Sequence, residues 1–204
     1  MFAELLRAKL AGVCELSEPQ IGRLKVHYEL LTRWNRVLSL TSVRTLGESV
    51  ERHYCESVFA AFHLPAALVS IADVGSGAGF PGIPIAILRP QCSVVLIESH
   101  RRKAAFLNEA SRDLANVRVL AKRAEDVTER FDWVVSRAVR YSDIAGALKK
   151  LAGKAELLTG EVRAADFAGF EWEKPIQLPW GERRYLWIGS NNVSRETKRP
   201  NCFT

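Results

Sequence analysis

Asp73-Val74-Gly75-Ser76-Gly77-Ala78-Gly79-Phe80-Pro81-Gly82 closes a β-branched run over residues 69–74 and opens directly into the apolar run of residues 83–88. A strand, a glycine-rich turn and a helix in immediate succession predict the first unit of a parallel sheet. Glycines in the turn let the backbone bend sharply and approach a ligand closely, and the carboxyl edge of such a sheet is where α/β proteins bind ligands. A purely structural turn would not need so many glycine and proline positions in ten residues.

Working outward, further short β-branched runs lie at Ser93–Ile97, Val117–Leu120 and residues 133–136, with weaker candidates at residues 155–158 and 185–188, separated by helical stretches. This alternation predicts an α/β, Rossmann-like fold: a mostly parallel sheet with helices on both faces. No repeat period is visible.

The residues before the sheet read as a helical extension. Ser17-Glu18-Pro19-Gln20 is a capping signal, after which Ile21, Leu24, Tyr28, Leu31, Trp34 and Leu38 recur at helical spacing. Thr45-Leu46-Gly47-Glu48 repeats the capping pattern ahead of a second stretch, whose Val50, Tyr54, Val58, Ala61 and Phe62 are expected to share one face before Pro65. The expected division is a helical extension over 1–65, a ligand-binding core over 66–189 and a polar basic tail over 190–204, disordered or touching RNA.

Length and charge fit one α/β domain that works on a polyanion. The 204 residues carry 48% hydrophobic and 25% charged side chains, ordinary for a globular protein, and a formal charge of +6, which favours polyanionic partners. No apolar run reaches the ~20 residues needed to span a bilayer, and Glu4, Arg7, Lys9 and Glu15 interrupt what a signal peptide would keep apolar. Cys14, Cys55, Cys92 and Cys202 are widely spaced, without a C-x-x-C pair or a histidine at zinc-finger spacing, so reduced thiols in a cytoplasmic protein without a metal site are expected.

The identity of the ligand turns on the acids. Residues 77–82 satisfy G-x-G-x-x-G, the dinucleotide fingerprint, and Glu98 at the end of the next strand can accept hydrogen bonds from ribose hydroxyls of either NAD or S-adenosylmethionine (SAM). Asp73 beside the loop suits a zwitterionic amino-acid end and would repel a pyrophosphate. The chain is also short for a separate substrate domain. SAM is therefore favoured, with an NAD-dependent small-molecule oxidoreductase as the alternative and a non-enzymatic RNA-binding module third.

Trp34-Asn35-Arg36, Leu40-Thr41-Ser42-Val43-Arg44, Arg52-His53, the loop from Asp73 through Pro84, Phe106-Leu107 and Ser136-Arg137-Ala138 follow one another in an order that resembles the RsmG (GidB) family. That resemblance runs from the first helix to Ile188. It implies a class I, Rossmann-like SAM-dependent methyltransferase that modifies N7 of a guanine in 16S ribosomal RNA. It also implies that Gly75 and Phe80 frame the cofactor loop, Glu98 takes the ribose, Ala124 and Glu125 border the adenine, and Arg137 lies beside the reactive pocket. Together with Asp73, Gly77 and Gly79 these are the expected cofactor residues. Three positions depart from the family pattern: Ser39 where Asn is usual, Glu56 where Asp is usual, and Thr159 where Lys is usual.

Guanine N7 carries an in-plane lone pair at neutral pH, so attack on a sulfonium methyl needs no general base, and catalysis falls to proximity and orientation. Cytosine C5 chemistry would need a nucleophilic cysteine, whereas the thiols here read as buried. Adenine N6 chemistry typically shows an Asn/Asp-Pro-Pro-aromatic run where this chain has Ser136-Arg137-Ala138. Arg137 is expected to enter the crevice and hold a phosphate or a guanine edge, rather than form a plain surface salt bridge. Arg101-Arg102-Lys103, Lys122-Arg123, Lys149-Lys150 and Arg183-Arg184 are paired cations, of which Arg123 and Arg183, with Arg137, are the expected RNA contacts. His53 reaches the crevice or packs; Trp34 is expected in the core. The expected partner is 16S ribosomal RNA or the small subunit, bound by a monomer.

Overall fold

A computed structural model describes residues 1–67, 69–137, 141–160 and 169–191, with nothing said of the Tyr141 side chain. Ala138 of the Ser-Arg-Ala segment, most of the expected tail and Cys202 lie outside the described residues.

The chain opens with α1 (Phe2–Leu10) and α2 (Glu18–Trp34). Ser17 begins α2 with the expected capping box, Ser17 N donating to Gln20 Oε1 at 2.9 Å, and Pro19 sits in the first turn where its missing N–H is harmless. Next come the short α3 (Leu46–Ser49), a π-helical turn (Val50–Cys55) and α4 (Glu56–His63). Thr45 caps α3 by accepting from Glu48 N at 3.2 Å.

Phe62, expected on the apolar face, is 54% exposed instead. Phe62 stands one position past buried Ala61, about 100° further round α4, and that rotation carries it off the covered face. Val50, Tyr54, Val58 and Ala61 are buried as expected.

The sheet contains β1 (Ser70–Val74), β2 (Ser93–Ile97), β3 (Val117–Leu120), β4 (Phe131–Arg137), β5 (Ala152–Thr159), β6 (Glu171–Trp172), β7 (Ile176–Gln177) and β8 (Tyr185–Ser190). Strand order is β3-β2-β1-β4-β5-β8-β6, with β7 also paired to β8; β3 through β5 run parallel, and β8 enters antiparallel. β6 and β7 span two residues each, too short for periodicity to reveal.

Between the strands lie α5 (Gly82–Leu88), α6 (Arg101–Ala110) and α7 (Tyr141–Leu151), with a 3-10 turn at Ala124–Asp126. Alternation along each strand sends Ile71, Val94, Leu96, Trp133 and Val135 into a core with α1, α2, α4, α5 and α6. Ala72, Val74, Val95, Ile97 and Val134 enter the opposite core with α7. Both faces are apolar because both are covered, as parallel sheets require. The helices of the first 65 residues thus share one core with the sheet. Trp34 packs edge-on against Phe106 at 5.7 Å, in the core as expected.

Chain direction across the sheet reverses at β1, whose neighbours are β2 and β4. The crossovers diverge there and leave a crevice at the carboxyl ends of β1 and β4. The glycine loop and Arg137 both emerge into that crevice.

Candidate active site

The loop after β1 is held from below. Gly75 N and Ser76 N both donate to Ile97 O, at 2.9 and 3.2 Å, which ties the turn to the end of β2. Gly75, Gly77 and Gly79 take φ of 74°, 54° and 88°, a region that L side chains disfavour, so these positions need glycine. The Glu98 carboxylate accepts from Gly77 N at 3.0 Å and from His100 N at 2.8 Å. Each oxygen keeps a second lone pair, so Glu98 braces the loop and remains able to accept from a ligand hydroxyl.

Asp73 is fully buried beneath the loop. Its Oδ2 accepts from Gly82 N at 3.0 Å, and its Oδ1 has no hydrogen-bond partner among the described residues. Burial foremost, with Glu98 adding to it, lifts its pKa to about 7 against the opposing pull of the Gly82 N–H. A carboxyl kept this dry, with one oxygen unpaired, gains from a cationic or donating partner.

α2 reaches the same loop through His27, which the sequence reading passed over. Its Nε2 lies 3.1 Å from Ala78 O and its Nδ1 2.9 Å from Tyr54 Oη. A carbonyl can only accept, so Nε2 carries the proton and Nδ1 accepts from the tyrosine. Burial lowers the His27 pKa to about 4, leaving the ring neutral at physiological pH.

The π turn brings His53 and Arg52 to the crevice. His53 stacks on Phe80, with centroids 4.7 Å apart, and its Nε2 lies 2.8 Å from Thr41 Oγ1. Burial and then Arg137 push its pKa to about 3, so it is neutral as well. Thr41 is placed by Asn35, whose Oδ1 accepts from Leu40 N at 2.8 Å and Thr41 N at 3.0 Å while its Nδ2 donates to Thr41 O at 3.1 Å. The Trp34-Asn35 and Leu40-Thr41-Ser42 segments, separate in sequence, are thus one clamped unit.

Arg137, at the end of β4, is 11% exposed and lies over the Phe80 ring at 5.9 Å. Its Nε donates to Glu56 Oε2 at 3.2 Å. Arg184 grips the same carboxylate with two nitrogens, Nε to Oε1 at 2.9 Å and a terminal nitrogen to Oε2 at 2.6 Å. The salt bridge expected as the bland alternative for Arg137 therefore exists, but it is buried and lies inside the crevice.

Two hollows flank the glycine loop. One, about 180 Å³, is lined by Gly75, Ser99, Arg123, Ala124, Glu125 and Ile144 among others. The other, about 360 Å³, is lined by Thr41, Arg52, His53, Gly77, Phe80, Lys103, Arg137 and Arg184 among others. A larger hollow of about 580 Å³ sits at the α1–α2 connection, away from this loop, and lacks its converging polar groups. Size does not mark the site here; position at the strand ends does.

Of the expected residues, Gly75, Ala124 and Glu125 meet in the first hollow, and Gly77, Phe80 and Arg137 in the second, with Asp73 and Glu98 bracing the loop between them. Gly79 is a packing glycine: a Cβ there would lie 2.5 Å from Ile83 Cδ1. Arg123 pairs with Glu125 at 3.5 Å at the rim. Arg183 is exposed and outside both hollows, and its neighbour Arg184 lines the second. The missed signal was period two carried back from β8: Leu186 is buried, and Arg184, just before the strand and two residues earlier, falls on the same side. Cys55 and Cys92 are buried, and burial foremost raises the Cys55 thiol to about 12, which disposes of a nucleophilic role for it.

Comparison with known proteins agrees with this architecture. A SAM-dependent methyltransferase from Aquifex aeolicus superposes with a TM-score of 0.56 at 15% identity, covering 70% of this chain and 92% of that one. Magnesium protoporphyrin IX methyltransferase from Synechocystis PCC 6803, solved with bound SAM, gives 0.59 at 14% identity, covering 87% and 99%. At such identity the likeness shows the fold alone.

Sequence relatives are nearer. "Ribosomal RNA small subunit methyltransferase G" of Nitrosospira multiformis is 43% identical over 142 residues, 68% of this chain and 63% of that protein. The Aquifex aeolicus protein of the same name is 39% identical over 144 residues, 67% of this chain and 74% of that protein. Nothing in the site or among these relatives favours the nicotinamide alternative. The matching family, described as rRNA small subunit methyltransferase G, spans residues 20–165, and the chain belongs to this family, GidB.

Proposed function

We propose that the chain is a SAM-dependent methyltransferase that modifies N7 of a guanine in 16S ribosomal RNA. The observation that carries this reading is the pair of hollows on either side of one glycine loop, in a chain of this family. The residues present fit the cofactor: Asp73 Oδ1 is a buried oxygen without a partner among the described residues, and Gly77 leaves the loop's outer side open, the nearest described heavy atom to an added Cβ being Gly75 O at 3.7 Å.

Gly75, Gly77, Gly79 and Phe80 would shape the cofactor's bed, with Ala124 and Glu125 beside its adenine, Glu98 at its ribose, and Asp73 and Arg137 toward its amino-acid end. When bound, SAM supplies an electrophilic methyl on a positively charged sulfur. The chain's part is then placement. Neutral His53 and Phe80 form a flat apolar wall for a purine, Thr41 and Arg137 offer polar groups at its edge, and the N7 lone pair needs no proton removed. Arg123 and Arg183, with Arg137, contact RNA phosphates. In this reading residues 1–65 supply Thr41 and His53 to the acceptor wall, residues 66–189 hold the cofactor and complete that wall with Phe80 and Arg137, and the enzyme acts as a cytoplasmic monomer without a metal.

The test is transfer of labelled methyl from SAM to 16S ribosomal RNA, or to small subunits, from a strain lacking this gene, followed by digestion to nucleosides. Labelled 7-methylguanosine is expected. SAM binding with no label on RNA or subunits would overturn the substrate.

A further inference from the structure

The Glu56 carboxylate is 1% exposed and carries two guanidiniums, Arg137 at 11% and Arg184 at 22% exposure. Arg52 and Lys103 line the same hollow, and no carboxylate lines it among the described residues. Two guanidiniums thus share one buried carboxylate, and two further cations line the hollow beside them. Guanidiniums partly withdrawn from water without matching negative charge are costly unless a further anion joins them.

We propose that Arg184, aligned with Arg137 by Glu56, forms a subsite for a backbone phosphate of the nucleotide strand that carries the methyl acceptor. The inference rests on the reading of the chain as an RNA methyltransferase and adds the place where the strand is gripped.

Arg184 spends one edge of its guanidinium on Glu56, through Nε and one terminal nitrogen, and keeps the other terminal nitrogen off that carboxylate. Arg137 engages Glu56 through Nε alone, so its two terminal nitrogens are not committed there. Planar forks of this kind match the oxygens of a phosphate.

Position separates phosphate from the cofactor's own carboxylate. The hollow is lined by the glycine loop, Ser76 to Ala78, and by Thr41, Ser42, Arg52, His53 and Arg184 on other elements. A nucleophile that displaces sulfur in line must approach from the side of the methyl away from the cofactor. The acceptor strand therefore lies toward the elements other than the loop, those that carry Arg184 and Arg52.

The test uses the full chain saturated with S-adenosylhomocysteine, which fills the cofactor bed, carboxylate included. Affinity for 16S ribosomal RNA is measured over a range of salt for wild type, R184Q and R184K. The lysine variant keeps an ion pair to Glu56 should the glutamine variant fold poorly.

In R184Q the RNA affinity is expected to fall about tenfold and the salt slope to become shallower by about 0.7–0.9, one phosphate's worth. R184K should lie between, and affinity for S-adenosylhomocysteine should stay within about twofold in both. In wild type, inorganic phosphate should compete with RNA on the saturated protein.

Loss of S-adenosylhomocysteine affinity in both variants would assign the site to the cofactor's carboxylate and overturn the proposal. So would unchanged RNA affinity, or no competition by phosphate. Methyl transfer by wild type, scored in parallel, separates the two levels: no transfer with Arg184-dependent RNA binding removes the proposed function and leaves the subsite.

Discussion

A methyl group added at Gly82 would lie 2.4 Å from Leu96 Cδ2 and 2.6 Å from Asp73 Oδ2, whereas one added at Gly77 would meet nothing nearer than 3.7 Å. The two glycines answer to different demands, close packing of helix on strand in one case and access for a ligand in the other. Gly82→Ala is expected to cost about 1–3 kcal/mol of stability through overpacking. Gly77→Ala should cost about 1–2 kcal/mol through its positive φ, yet weaken SAM binding at least about tenfold, since its added methyl stands on the open side. Thermal melts with calorimetric SAM titration check both, and wild-type SAM affinity in Gly77→Ala would show that the loop does not face the cofactor. The acid before the loop was legible in the sequence, but its burial was not. Asp73 is dry because α5 closes over it, a fact of packing rather than of local sequence.

At the scale of elements, the caps were readable because they are short-range. Ser17 with Gln20 and Thr45 with Glu48 act across three residues, and both are found as expected. The π turn was not readable, since nothing local announces the extra residue, and it is what brings Arg52 and His53 to the crevice beside buried Tyr54. The segment between α2 and α3 depends on Asn35, whose side chain makes three hydrogen bonds to the backbone of Leu40 and Thr41. Asn35→Ala should free Thr41 from His53. The expected outcome is a fall of about tenfold in the methyl-transfer rate at saturating substrates, with SAM affinity within about threefold and a stability loss of about 1–3 kcal/mol. Parallel loss of SAM affinity and rate, or no loss of either, would refute a positioning role for this asparagine.

At the scale of the whole molecule, Glu156 has no local explanation. It lies on β5 facing away from the α7 core, is 2% exposed, and neither carboxylate oxygen has a hydrogen-bond partner among the described residues. Burial raises its pKa well above the usual 4.5, only partly offset by Arg89. A folded pKa above the unfolded one means that its contribution is fully present below about 4.5 and is lost as pH rises through the folded value. Glu156→Leu should therefore stabilise the protein, by about 1–3 kcal/mol at pH 8 and by less at pH 5, because it removes a carboxyl whose desolvation is unmatched. Denaturant midpoints at the two pH values decide this; an equal gain at both would mean that Glu156 binds no more protons in the folded protein than in the unfolded chain over that range, so that burial does not raise its pKa.

The sequence by itself determined the longer strands and helices, the glycine loop with its acid, and, through the ordered motifs, the family. Those signals are local: alternation, helical spacing, caps and the conformational freedom of glycine. Only the tertiary structure decided that Arg184, and not Arg183, joins Arg137 in the crevice, because Glu56 meets Arg137 across 81 positions and Arg184 across 128. Contacts at that range are set by strand order and by the need to cover both faces of the sheet. No pattern within a few residues of Arg184 carries that information beyond the side of β8 it shares with Leu186.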